Sequence, residues 1–242
     1  MYHELAHLWP LMSVPADYAD EARHWRDALH AYVGPGRAHI LELGVGGGNL
    51  LSHLTRDFVA TAVDISDAML ANSRRLNPSV QHHVGDMRTV RLGRTFAAVI
   101  AHDAVSYLTT EDDLRSTFAT AAAHLAPGGV FICAPDWYRE TFAGAHASAH
   151  GPRGVDPELT MFLYAFDPDP TDTTIEQLFL FALRRGGDVE VIEDRHVLGL
   201  FPLATWIALM AEAGFHVEKR PYPVHTDGHD AWLLCGVREE RA

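Results

Sequence analysis

The stretch from His39 to Asn49, HILELGVGGGN, constrains the chain more than any other. Ile40, Leu41 and Leu43 form a short apolar run suited to a buried strand, and residues 50–55 read as a helix. Between them lie Gly44, Gly46, Gly47 and Gly48. Glycines accept positive φ and let a ligand approach the main chain, and the helix that follows opens with unpaired N–H groups. Glu42 narrows the ligand. In a loop built for pyrophosphate, a carboxylate at the strand end repels the phosphates. The dinucleotide fingerprint counted from Gly44 also needs glycine at 49, where Asn49 stands.

The chain continues as alternating strands and helices. A second strand over 59–63 ends in Asp64, about twenty residues after Gly44, where a βαβ unit places an acidic side chain beside a ribose. Ser66 or Asp67 could cap a helix over 68–76, a role that does not need Asp64 itself, and Ile65 and Met69 could then wall an adenine ring. A third strand, 80–84, leads into Asp86 and Met87. Asp86 can accept from an exocyclic amino group while the Met87 backbone reads a ring nitrogen; Asp86 equally reads as a turn residue. A fourth strand, 96–101, ends in His102 and Asp103, and its loop carries Tyr107. In open α/β sheets ligands sit outside the carboxyl ends of the strands, so chemistry is expected there. An amphipathic helix over 112–125 is followed by Pro127-Gly128-Gly129 and a fifth strand over 130–134.

The flanking segments read differently. Residues 1–33 suggest two helical pieces broken near Pro10 and Pro15, with an aromatic stripe that serves either as core or as a flap over a pocket. After residue 138 the alternation breaks. Strand-like runs at 173–184 and 189–197 flank Gly186-Gly187, a hairpin signal, so 138–200 reads as a small antiparallel lid inserted after strand five. A helix over 205–213 and strands over 215–220 and 232–237 complete one domain spanning 1–242. His225 and His229 sit in the last loop without a third ligand at hand, so no metal is expected.

A net charge of −13 argues against a nucleic-acid or anionic-membrane surface. Two cysteines, Cys133 and Cys235, both in apolar runs, supply neither a disulfide framework nor a zinc site. No apolar run reaches membrane-spanning length and the start does not read as a signal peptide, so the cytoplasm is the expected compartment.

Taken together, Glu42 to Gly48, residues 64–70, Gly85 to Arg88 with residues 92–94, and residues 125–129 resemble the motifs of class I S-adenosylmethionine (SAM) methyltransferases. Trp137 with residues 140–142, and His196 with Leu200 and Phe201, resemble the group of amino-sugar N,N-dimethyltransferases. The resemblance implies an α/β, Rossmann-like seven-stranded sheet with its last strand antiparallel, helices on both faces and the lid over the active site. It implies SAM as cofactor, with Glu42, Gly44 and Gly46 near its amino acid moiety, Asp64 on the ribose, and Asp86 and Met87 at adenine. Tyr2 resembles a tyrosine that reaches the cofactor carboxylate, and His102 packs beside the cofactor. The expected partner is a small-molecule methyl acceptor, and lid insertions in this fold can join two copies as a homodimer. The expected reaction is transfer of a methyl group to nitrogen. O-methylation with a histidine base, nicotinamide-dependent oxidoreduction and non-catalytic SAM binding remain as alternatives. His102 or His196 can take a proton near neutral pH, and Asp103 can hold a cationic amine or orient a histidine. Tyr18, Tyr107, Trp137 and His196 are expected to wall the acceptor pocket.

Overall fold

A computed structural model describes residues 2, 4–224 and 231–239. Its main sheet contains β1 (His39–Leu43), β2 (Val59–Asp64), β3 (Gln81–Val84), β4 (Phe96–Ala101), β5 (Leu125–Cys133), and, from the far end of the chain, β10 (Phe215–Pro221) and β11 (Trp232–Arg238). The order across the sheet is β10-β11-β5-β4-β1-β2-β3. β1 to β5 run parallel, whereas β11 pairs antiparallel with both β5 and β10. This is the expected Rossmann-like sheet with its final strand reversed.

Strand periodicity divides the core into two layers, because neighbouring residues face opposite ways. Ile40, Ala98, Ile100 and Ile132 pack under Trp25 and Leu29 of α2 (Ala19–Val33) and Leu50, Leu51 and Leu54 of α3 (Asn49–Leu54). Their neighbours Leu41, Val99, Phe131 and Cys133 pack under Leu114 and Phe118 of α5 (Glu111–Ala123) and Trp206 and Met210 of α6 (Leu203–Glu212). The helix α4 (Asp67–Leu76) adds Leu70 to the first layer. Ser66 is its N-cap, accepting from the Met69 N–H at 3.2 Å.

The N-terminal segment breaks beside Pro15, as expected, but not at Pro10. Pro10 does not break a helix but lies in the first turn of α1 (Trp9–Met12), and Pro15 opens a 3-10 turn before α2. A first-turn proline gives up an N–H that has no helical partner anyway. The fifth strand begins at Leu125, earlier than expected, because Leu125 pairs with Phe96 ahead of a register shift.

The lid is larger than the sequence suggests. Four antiparallel strands, β6 (His146–Gly154), β7 (Glu158–Phe166), β8 (Thr174–Arg185) and β9 (Asp188–Gly199), lie in that order. One face of this sheet, with Leu159, Phe179, Phe181 and Leu183, packs on Leu8 and Met12, so the N-terminal segment is held between lid and main sheet. No helix among the described residues is long and apolar enough to cross a membrane.

Candidate active site

The sheet order places β4 and β1 side by side while their following helices diverge, and ligand crevices of open α/β sheets form at such a switch point. A cavity of about 470 Å³ opens there. The carboxyl ends of β1, β2 and β4 form its floor, through Glu42, Gly44, Gly46, Asp64 and His102. The N-terminal segment and lid cover it, through Tyr2, Tyr18 and His196, with Tyr107 from the loop after β4. Ile65, Asp86, Met87 and Asp103 complete the rim.

The glycine loop is shaped by close approach. Gly44 has φ +77°, and a Cβ there would lie 2.2 Å from the Ala104 methyl. A Cβ on Gly47 would lie 1.9 Å from the Trp9 indole nitrogen. Asp64 holds the loop: one carboxylate oxygen accepts from Gly46 N–H at 2.7 Å and the other from Ser66 N–H at 2.8 Å. Asp86 is gripped by the Arg88 guanidinium at 2.6 Å, which keeps its carboxyl below the usual range, and Arg88 also reaches Asp113 at 2.7 Å.

The floor is crowded with carboxylates. Burial pushes Glu42 up to about 8, opposed by His102 and reinforced by Asp64 and Asp103. Its Oε2 is buried with no hydrogen-bond partner. Behind it, His102 Nε2 lies 2.7 Å from Glu21 of α2 and 3.0 Å from Asp103. Tyr222 donates to Glu21 at 3.1 Å and accepts from the Trp25 indole at 3.2 Å. Burial disfavours the His102 cation, yet Asp103 and Glu21 outweigh it and hold the imidazole well above its ordinary pKa. The two carboxylates beside it thus favour the imidazolium over the neutral ring. Asp136, close by, is raised by burial and by Asp103.

The roof is different. Burial lowers His196, only partly offset by Asp194 at 3.1 Å, so its imidazole is neutral near pH 7. Its Nδ1 lies 2.6 Å from the Tyr107 hydroxyl, and that hydroxyl lies 2.9 Å from the Tyr2 hydroxyl. The Tyr2 carbonyl accepts from the Ser66 hydroxyl, tying the N-terminal segment down beside β2.

Two expected residues stand outside the cavity. Met69 is fully buried beneath the loop, its methyl 3.7 Å from where a Cβ on Gly46 would be, so it supports the loop instead of walling a ligand. Trp137 turns toward Phe142 and His146, with ring centroids 5.6 and 6.4 Å away, beside the Ile175, Leu198 and Leu200 cluster. His225 and His229 lie outside the described residues. Among the described residues no group of three potential ligands could hold a metal.

Glu21 and Asp194 were missed, though each left a trace. Glu21 shares the buried face of α2 with Trp25 and Leu29, an unusual place for a carboxylate. Asp194 lies two residues before His196, on the same face of one strand.

The residues present fit SAM. Its cationic groups match a floor with an unpartnered buried carboxylate oxygen, and a chain of positive-φ glycines leaves the main chain open beside it. A family profile described as a methyltransferase domain matches residues 40–129. A dTDP-3-amino-3,4,6-trideoxy-alpha-D-glucopyranose N,N-dimethyltransferase from Streptomyces venezuelae is 35% identical over 84% of this chain and 85% of its own length. The crystal structure of Streptomyces venezuelae DesVI superposes with a TM-score of 0.81 at 31% identity, covering 92% of each chain. An amino pentose methyltransferase from Micromonospora echinaspora, solved with SAM bound, superposes with a TM-score of 0.79 at 26% identity over 91% of each chain. Fold, glycine loop and whole-length similarity agree: the chain belongs to the SAM-dependent small-molecule methyltransferases, within the group of the amino-sugar N,N-dimethyltransferases.

Proposed function

We propose that the acceptor of this SAM-dependent N-methyltransferase is the amino group of a sugar, taken up between the acidic floor and the aromatic roof. The observation that carries this reading is the charge of the floor. Asp64, Asp86 and Asp103 line the cavity together with Glu42, whose carboxyl is pushed up to about 8, against Arg88 and His102, and Asp136 and Glu21 lie just behind. Such a site favours cationic and amine ligands over anionic ones.

When bound, SAM supplies a methyl group on a cationic sulfur for in-line displacement. The chain's own residues bind, orient and exclude water. Glu42 and the Gly44–Gly48 turn hold the cofactor's amino acid end, Asp64 its ribose, and Asp86 and Met87 its adenine, with Ile65 at the rim. Tyr18 and Tyr107 wall the acceptor, and Tyr2 closes the roof from the N-terminal segment. Confining the two reactants in one dry cavity supplies much of the rate, since effective molarities of well-oriented reactants are very large. The reaction takes place in the cytoplasm. The outer face of the lid sheet, where Phe162, Tyr164 and Val191 are exposed, is the surface through which two copies would pair.

The test is calorimetric titration with S-adenosylhomocysteine, with NADH as control, followed by a screen of amino sugars and their hydroxyl counterparts. Binding of the first ligand and methylation of the amines alone is expected. Methylation of the hydroxyl compounds alone overturns the nitrogen acceptor.

A further inference from the structure

We propose that Tyr107, His196 and Asp194 form a proton relay that draws the acceptor's proton out of the cavity, with the Tyr2 hydroxyl as its inner end. The inference rests on the reading that the acceptor is an amine.

The geometry fixes the direction of every donor. Asp194 as a carboxylate only accepts, so the 3.1 Å contact places the single proton of neutral His196 on Nε2. Nδ1 is then an acceptor, and the 2.6 Å contact makes Tyr107 the donor to it. The Tyr107 oxygen in turn accepts from Tyr2 at 2.9 Å. Tyr2, Tyr107 and His196 all line the cavity. Their hydroxyl and ring protons run one way, from Tyr2 to Asp194. The Tyr2 oxygen is left with lone pairs for a donor from the ligand side. The outer end is more open than the middle: the Asp194 side chain is 22% exposed and that of His196 only 7%. Around His196, Gln177 lies opposite it on β8 and the Phe179 ring at 4.8 Å, and besides Asp194 the chain's amino-terminal charge acts on it and disfavours the imidazolium. Asp103 and Asp136 face Tyr107 from the floor and favour its neutral form.

The step balances. The nitrogen lone pair forms the N–C bond while the C–S bond breaks with its electrons going to sulfur, which leaves the nitrogen cationic. The nitrogen then gives its proton to the Tyr2 oxygen. The Tyr2 proton passes to Tyr107, and that of Tyr107 to His196 Nδ1. The phenols end neutral, and His196 ends as an imidazolium against Asp194, which passes a proton to water. The nitrogen regains its lone pair and is ready for a second methyl. His102 lies against carboxylates at 2.7 and 3.0 Å, which favour its protonated form and make it a poor acceptor.

Two measurements test the relay. In the ligand-free full chain, nitrogen NMR of the His196 ring, assigned by its loss in His196→Gln, is expected to show the Nε2–H tautomer titrating below the ordinary 6.5. An Nδ1–H tautomer, or an imidazolium at pH 7, overturns the proposal whether or not an acceptor is known. With an accepted amine, kcat/KM is expected to fall about 100-fold in Tyr107→Phe and His196→Gln, the scale of lost acid–base help, with S-adenosylhomocysteine affinity kept. The acid limb of the wild-type profile is expected to vanish in His196→Gln and to move to lower pH in Asp194→Asn. Superposable profiles in all variants overturn the relay while leaving amine methylation standing. Absence of any amine turnover by the wild type counts instead against the acceptor assignment.

Discussion

Two histidines face one cavity, and their surroundings push them toward different protonation states. His102 lies on the floor, His196 under the roof, and their side chains are almost equally buried at 8% and 7% exposure. Burial alone would make both neutral. The difference is in the company each keeps. His102 has carboxylates at 2.7 and 3.0 Å, with Glu42 and Asp136 nearby. His196 has one carboxylate at 3.1 Å, opposed by the chain's amino-terminal charge, and the Tyr107 hydroxyl on its other nitrogen at 2.6 Å. Number and distance of anions, not burial, decide the state of an imidazole here. The floor is thus a fixed electrostatic surface and the roof a titratable one.

The largest blow to this contrast should come from Glu21→Ala. It removes the nearest anion from a buried imidazolium, and breaking such a pair costs about 3–5 kcal/mol. Urea denaturation checks it; a loss under 1 kcal/mol would mean His102 does not depend on Glu21 for its charge.

Glu42→Gln sharpens the contrast from the ligand side. Because the Glu42 carboxyl sits at about 8, a cationic ligand binds at the expense of a proton, so SAM affinity should climb as pH rises from 6 to 8. In the variant that slope should disappear, and the preference for SAM over S-adenosylhomocysteine should shrink by about tenfold, the scale of a partly screened charge–charge contact. Titration calorimetry in buffers of different ionisation enthalpy reads both effects.

Floor and roof should also respond to pH in opposite senses. Glu42 and His102 both bind protons more tightly folded than unfolded, so the stability they contribute is lost as pH rises, for Glu42 between about 4.5 and 8. His196 binds its proton less tightly when folded, so its contribution is lost as pH falls through 6.5. Denaturation midpoints should therefore fall off less on the alkaline side in Glu42→Gln and less on the acid side in His196→Gln, each relative to the wild type. At neutral pH, His196→Gln itself should cost only about 1 kcal/mol, the net value of ordinary hydrogen bonds.

The smallest effect is expected on the lid's outer face. Arg195 pairs with Glu176 at 2.6 Å but is half exposed, so Arg195→Ala should barely move the denaturation midpoint. A larger loss would show that this face is covered in solution.

The floor was far more legible than the roof. Parallel strands buried on both faces write themselves as apolar runs, as in Ile40–Leu41 and residues 96–101, and Glu42 and Asp64 stand out at their ends. The first lid strand leaves no such signal. β6 reads HASAHGPRG, an exposed edge strand whose small, polar and proline residues suit an unpaired border but carry no alternation. Met69 and Trp137 were misplaced because spacing gives the face of a helix or the neighbourhood of a strand end, not the direction of a side chain. Glu21 was hidden by distance, since only the folded sheet brings residue 21 to residue 102.

The hydroxyl of Tyr2 meets Tyr107, and through it His196 and Asp194. On the ribosome those partners do not emerge together. At about 5–20 residues per second, Tyr2 waits about 10–40 s for the strand that carries His196. The glycine loop and β1 to β4 beneath it are synthesised well before then, whereas the roof waits for β9, and β10 and β11 complete the sheet only afterwards. A nascent chain stalled short of β9 should therefore hold the cofactor cradle without its cover, and the ability to bind should precede the ability to turn over.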